Sequence, residues 1–149
     1  MLEQQLEQDI KTALLAGEKQ KALVLRGLKA TLLNVKVAKG KRESGLSDDE
    51  VLAEFSKQSK QRQESADLYK QGGDQARTDA ELAEKAIIDA YLPAQLSEAE
   101  IEGMIDEVIK QTGASGMQAM GQIIGQIKAK AGATADGAVI ARLVKEKLQ

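Results

Sequence analysis

The chain has 149 residues, 42% of them hydrophobic, and a formal net charge of −2, enough apolar content for one ordinary core or two small helical ones. It contains no cysteine and no histidine, which excludes disulfides, thiolate metal sites, cysteine nucleophiles and histidine-based acid–base catalysis. Phe55, Tyr69 and Tyr91 are the whole aromatic set, and the abundant Ala, Leu, Lys, Glu and Gln lose little entropy in a helix, so an all-α fold is expected.

Leu2, Leu6, Ile10, Ala13 and Leu14 recur at helical spacing and predict a first helix over residues 2–16, ended by Gly17. A second helix is expected over residues 19–38. Its main apolar stripe is Val24, Leu25, Leu28, Leu32 and Val35, and a further apolar group, Leu23, Leu33 and Val37, lies on the other side of the wheel. A helix apolar on two sides belongs at a centre or an interface. Between residues 18 and 43 no acid occurs, while Arg26, Lys29, Lys36, Lys39, Lys41 and Arg42 do.

Ser47 followed by Glu50 is a capping box and opens a third helix, expected to run to residue 71 where Gly72 and Gly73 stop it. Its stripe, Val51, Leu52, Phe55, Ser59, Arg62, Ala66 and Tyr69, carries two polar residues on an otherwise apolar face. A fourth helix is expected over residues 77–92, facing inward through Leu82, Ala83, Ala86, Ile87, Ala90 and Tyr91. Pro93, the single proline, ends it, because proline lacks an amide proton and drives the preceding residue out of the helical region.

Ser97 and Glu100 form a second capping box at the head of a fifth helix, residues 98–111, whose face is Ile101, Met104, Ile105 and Val108. Gly113 and Gly116 flank a turn. A sixth helix over residues 117–130 presents Met117, Met120, Ile123, Ile124 and Ile127, and Asp136-Gly137 opens a seventh with Val139, Ile140, Leu143 and Val144. The expected architecture is a four-helix N-terminal bundle, residues 1–95, followed by a small three-helix domain, residues 96–149.

The N-terminus lacks the basic start and apolar core of a signal peptide, and no apolar run approaches the roughly 20 residues that cross a bilayer. A soluble, cytoplasmic protein without a membrane role is expected.

Four blocks carry a likeness to a known family. They are Lys60-Gln61-Arg62-Gln63-Glu64-Ser65-Ala66-Asp67-Leu68-Tyr69-Lys70-Gln71-Gly72-Gly73, then Tyr91-Leu92-Pro93-Ala94-Gln95-Leu96-Ser97, then Met120-Gly121-Gln122-Ile123-Ile124, then Ala135-Asp136-Gly137. In this order and spacing they resemble the YqeY-like proteins of the GatB/YqeY family over nearly the whole chain. The resemblance implies a free-standing bacterial protein of two helical domains. It implies a relation to the tail of the B subunit of the glutamine-dependent aspartyl/glutamyl-tRNA amidotransferase, and an accessory role that binds tRNA. The implied partners are tRNA and a tRNA-dependent amidotransferase or an aminoacyl-tRNA synthetase. The family-level activity is that of a carbon–nitrogen ligase with glutamine as amido-N-donor. Many members carry Lys or Arg just before Ala-Asp-Gly, where this chain has Thr134.

The residues themselves support no independent catalysis: neither a Walker pattern nor G-x-G-x-x-G is present, and no catalytic, cofactor-binding or metal-ligating residue is assigned. The acids of the fifth helix, Glu98, Glu100, Glu102, Asp106 and Glu107, read as an exposed face. The candidate nucleic-acid contacts are Arg26, Lys29, Lys36, Lys39, Lys41, Arg42 and Arg62. The basic group either tracks a phosphate backbone or forms a solvated face. Arg62, on an apolar stripe, needs a carboxylate or phosphate partner, because an unpaired buried charge is costly. Gly121 and Gly125 predict a close helix approach, and Met104, Met117 and Met120 read as core filler. A helical protein–protein adaptor with no nucleic-acid role is the alternative, motivated by the doubled apolar face of the second helix.

Overall fold

A computed structural model describes residues Met1–Gln149 and contains seven α-helices and no strand. The chain divides into two compact units, Met1–Leu92 and Pro93–Gln149. No helix is long and apolar enough to cross a membrane.

The first unit is built from α1 (Leu2–Leu15), α2 (Lys19–Ala38), α3 (Asp48–Gln71) and α4 (Gln75–Asp89). Gly17, at φ +73°, turns α1 into α2. The expected stripe of α2 is buried at Val24, Leu25, Leu28 and Leu32, and packs with Leu6, Ala13, Ala22, Leu46, Val51, Phe55 and Ile88. Each fully buried large side chain in such a core contributes about 1.5–3 kcal/mol. Both halves of the α3 capping box form: Glu50 N–H donates to Ser47 Oγ at 3.2 Å, and Ser47 N–H to Glu50 Oε2 at 2.9 Å.

α4 departs from expectation in its ends and in its inward face. It starts at Gln75 rather than 77, because Asp74 caps it by accepting from Arg77 N–H at 3.0 Å. It ends at Asp89 rather than 92: Tyr91 and Leu92 close a turn onto the carbonyls of Ile88 and Asp89, ahead of Pro93. The predicted face holds only in part: Ile87 and Tyr91 pack against the core, but Leu82, Ala83, Ala86 and Ala90 are exposed while Thr78 and Ile88 are buried. The reason lies on α3, whose inward stripe carries Ser59 and Arg62. α4 meets these polar groups with Glu81, Glu84 and Asp89, and matching them outweighs burying three alanines.

The second unit comprises α5 (Glu98–Thr112), a 3₁₀ turn (Met117–Ala119), α6 (Met120–Ala131), a second 3₁₀ turn (Gly132–Thr134) and α7 (Gly137–Leu148). The expected single sixth helix is thus split at its start. Its core joins Ile101, Ile105, Val108, Ile123, Ile127, Ile140, Leu143 and Val144. Met104 and Met120 pack at its margin, whereas Met117 is exposed. The predicted close approach at Gly121 and Gly125 is absent: a Cβ at either position would meet nothing within 4 Å.

Candidate nucleic-acid interface

The basic residues of α2 and its following loop are distributed along the first unit, and most already have carboxylate partners. Lys29 pairs with Glu7 of α1 at 3.0 Å. Lys36, half-buried, forms an ion pair with Glu3, whose other oxygen accepts the Leu46 N–H at 3.0 Å. Glu3 thereby ties α1 to α2 and to the loop that leads into α3. Gly45 is needed there: its φ is +78°, and a Cβ would lie 3.0 Å from Glu3 Oε2.

Lys39 and Lys41 both donate to Glu50 Oε1, at 3.1 and 2.7 Å. Glu50 also accepts the Ser47 amide, so three donors favour its charged form. The Lys41 and Ser47 hydrogen bonds, with Lys39, lower its pKa from 4.5 to about 2. Glu7 is likewise held below the usual carboxylate range, chiefly by its hydrogen bond and charge pairing with Lys29.

Arg26 and Arg42 are exposed and make no ion pair. Arg26 projects from the middle of α2, and Arg42 from the loop beyond its C-terminal end. Between α1 and α2 lies an open groove of about 400 Å³ lined by Glu3, Leu6, Glu7, Arg26, Lys29 and Leu33, among others. The arrangement offers two uncommitted guanidinium groups and several cations whose charge is locally offset.

Arg62 stands apart from this group, in the α3–α4 interface. Its Nε donates to Glu84 at 2.8 Å, with Glu81 at 3.9 Å; Arg62 and Glu84 retain 29% and 33% side-chain exposure. The carboxylate partner that its place on an apolar stripe demands is therefore Glu84, supported by Glu81. Beside it Ser59 donates to Asp89, which also receives Lys85 Nζ at 2.6 Å.

In the second unit the segment around Thr134 is closed by hydrogen bonds. Leu96 N–H donates to Thr134 O at 2.7 Å, Gln95 Nε2 to Ala133 O at 2.8 Å, and Thr134 Oγ1 to Ala131 O. Sequence reasoning missed Lys128. Its side chain lies over Gly137 at the first turn of α7, with Nζ 3.2 Å from the place a Cβ would occupy. A lysine nine residues before that glycine carries no local pattern that would have singled it out. The acidic face of α5 is partly met from α7: Arg142 pairs with Glu98, and Lys147 with Asp106 at 3.0 Å. The Glu98 and Glu146 carboxylates raise the Arg142 pKa above its ordinary value.

Comparison with known proteins matches residues 3–148 to the family model described as Yqey-like protein. The chain is also similar to the E-type subunit of the glutamyl-tRNA(Gln) amidotransferase of Thermococcus gammatolerans (strain DSM 15229 / JCM 11827 / EJ3), with 47% identity over 58 residues, covering 36% of this chain and 9% of that protein. The matched segment is thus a small part of the relative's length. With a family model spanning nearly every residue, the chain belongs to the YqeY-like family.

Proposed function

We propose that this protein is an accessory factor of tRNA-dependent amidation that binds tRNA and does not catalyse alone. The observation that carries the reading is the 47% identity over 58 residues with an amidotransferase chain whose name places it on glutamyl-tRNA(Gln). Supporting it are Arg26 and Arg42, whose guanidinium groups are free to meet phosphates. Lys29, Lys36, Lys39 and Lys41 add to the local field but must give up a carboxylate to contact RNA directly. With few aromatics for base stacking, recognition rests on backbone and shape. We read the four-helix and three-helix groups as separate domains, residues 1–95 and 96–149, and the cytoplasm as the site of action.

The test is a mobility-shift titration with tRNAGln across a salt series, with and without the amidotransferase. Binding that weakens steeply with salt is expected. No retarded species at low salt under either condition overturns the proposal.

A further inference from the structure

The solvent side of α2 repeats with a period that its core does not explain. Lys19, Leu23, Arg26, Ala30, Leu33 and Val37 follow one another at intervals of four, three, four, three and four residues. This is the spacing of a coiled-coil seam. All six are exposed, with Leu23, Leu33 and Val37 at 70%, 44% and 59%. The opposite side of the helix, Val24, Leu25, Leu28 and Leu32, is already buried in the first unit. Leu23 to Val37 extends about 21 Å, two heptads of contact length.

Charge selects the occupant. Arg26 sits within the seam with no carboxylate partner, and α2 has no acidic residue anywhere along it. A helix covering the seam would desolvate that guanidinium, which is unfavourable unless the incoming surface supplies a carboxylate. A second copy of α2 offers none. Toward α1, the groove beside Ala30 and Leu33 is lined by Lys29 and Lys36, each paired with a lining carboxylate, Glu7 and Glu3, which leaves Arg26 as the one cation there without an ion pair. RNA fits this face less well, because two leucines and a valine occupy it, no aromatic interleaves, and the flanking Lys29 and Lys36 are already paired with Glu7 and Glu3.

We infer that the solvent face of α2 is a docking seam for an acidic amphipathic helix of a partner protein, seated on Leu23, Ala30, Leu33 and Val37 with a carboxylate against Arg26. The partner helix carries apolar residues at heptad spacing and glutamate or aspartate beside them. This goes beyond tRNA binding and shares one residue with it: helix carboxylate and RNA phosphate would compete for Arg26, whereas Arg42, in the loop after α2, lies outside the seam.

The experiment places a photo-crosslinking p-benzoylphenylalanine at Leu33 or at Val37 of the full-length protein, in the cells that make it, with Lys57 on α3 as an exposed control position. Crosslinked peptides and nucleotides are mapped by mass spectrometry. The expected result is one protein segment with heptad-spaced apolar residues and net negative charge, its yield falling about tenfold on Arg26→Glu. Because position 26 is exposed, the variant's helicity and thermal midpoint should match the parent's. Crosslinks to RNA, to a second copy or to a basic segment overturn the inference, as does a yield no higher than at Lys57. The tRNA titration run on Leu33→Glu separates the two proposals: retained tRNA affinity with lost crosslinking leaves the tRNA reading intact.

Discussion

The Tyr91 hydroxyl donates a hydrogen bond to the Asp9 carboxylate, joining the turn after α4 to the middle of α1 across 82 residues of sequence. The ring also meets Phe55 edge-on, with centroids 5.3 Å apart. One side chain thus fastens the last residues of the first unit onto its core.

Tyr91→Phe keeps the ring contact and removes the hydroxyl. Stability should fall by about 1–2 kcal/mol in urea denaturation, the range for a hydrogen bond to a charged acceptor that is partly exposed. Burial, with Asp9 adding to it, raises the Tyr91 pKa above its ordinary value of 10.0. A raised folded pKa contributes stability that is complete below pH 10 and is lost as pH climbs through the folded value. Alkaline destabilisation above about pH 10 should therefore be weaker in Tyr91→Phe than in the parent.

Glu50 has the opposite sign. Its pKa falls from 4.5 unfolded to about 2 folded, so its contribution is present above pH 4.5 and disappears as pH drops toward 2. Glu50→Gln should flatten the acid limb of a thermal-midpoint profile across that window. Ser47→Ala, which removes the other half of the capping box, should cost about 1 kcal/mol at neutral pH.

Arg62→Met should destabilise the protein by about 1–3 kcal/mol, because Glu84 and Glu81 are left without their guanidinium in a half-buried interface. A double-mutant cycle with Glu84→Leu isolates the pair, and its coupling should be about 1 kcal/mol after allowance for solvent screening. If Arg62 is engaged only by these acids, tRNA affinity in the mobility-shift assay stays within about twofold of the parent.

Arg26→Gln with Arg42→Gln should reduce tRNA affinity and lower the slope of log affinity against log salt by about one per lost phosphate contact. Lys36→Gln should affect affinity less, since its ammonium is bound to Glu3, and should lower stability instead.

Gly125→Ala should stabilise the second unit by about 0.5–1 kcal/mol, measured as a raised thermal midpoint. The position is inside α6, lacks a positive φ and has open space where the methyl would go. A close helix approach at Gly121 and Gly125 would have produced the reverse sign.

Much of the local structure was legible along the chain. Ser47 with Glu50 and Ser97 with Glu100 form the capping boxes expected of them, and the apolar spacing of α2 and α5 identifies their buried residues. These features depend on groups three or four residues apart, where backbone geometry alone dictates who meets whom. The likeness to the YqeY-like family was equally legible, because ordered short blocks survive as linear pattern.

Part of the inward face of α4 and the state of each basic residue were not legible, although Ile87 and Tyr91 pack inward as expected. Apolar counting pointed α4 toward Leu82 and Ala86, yet Thr78 and Ile88 are buried and Glu84 answers Arg62. Nor could charge spacing show that Glu3, Glu7 and Glu50 neutralise Lys36, Lys29, Lys39 and Lys41 while Arg26 and Arg42 remain unpaired. The sequence by itself determined the helices, their caps and the family. Only the tertiary structure decided which polar groups are satisfied and which face is left open, because a side chain's partner is set by what packing brings within about 3–4 Å and not by its neighbours in the chain.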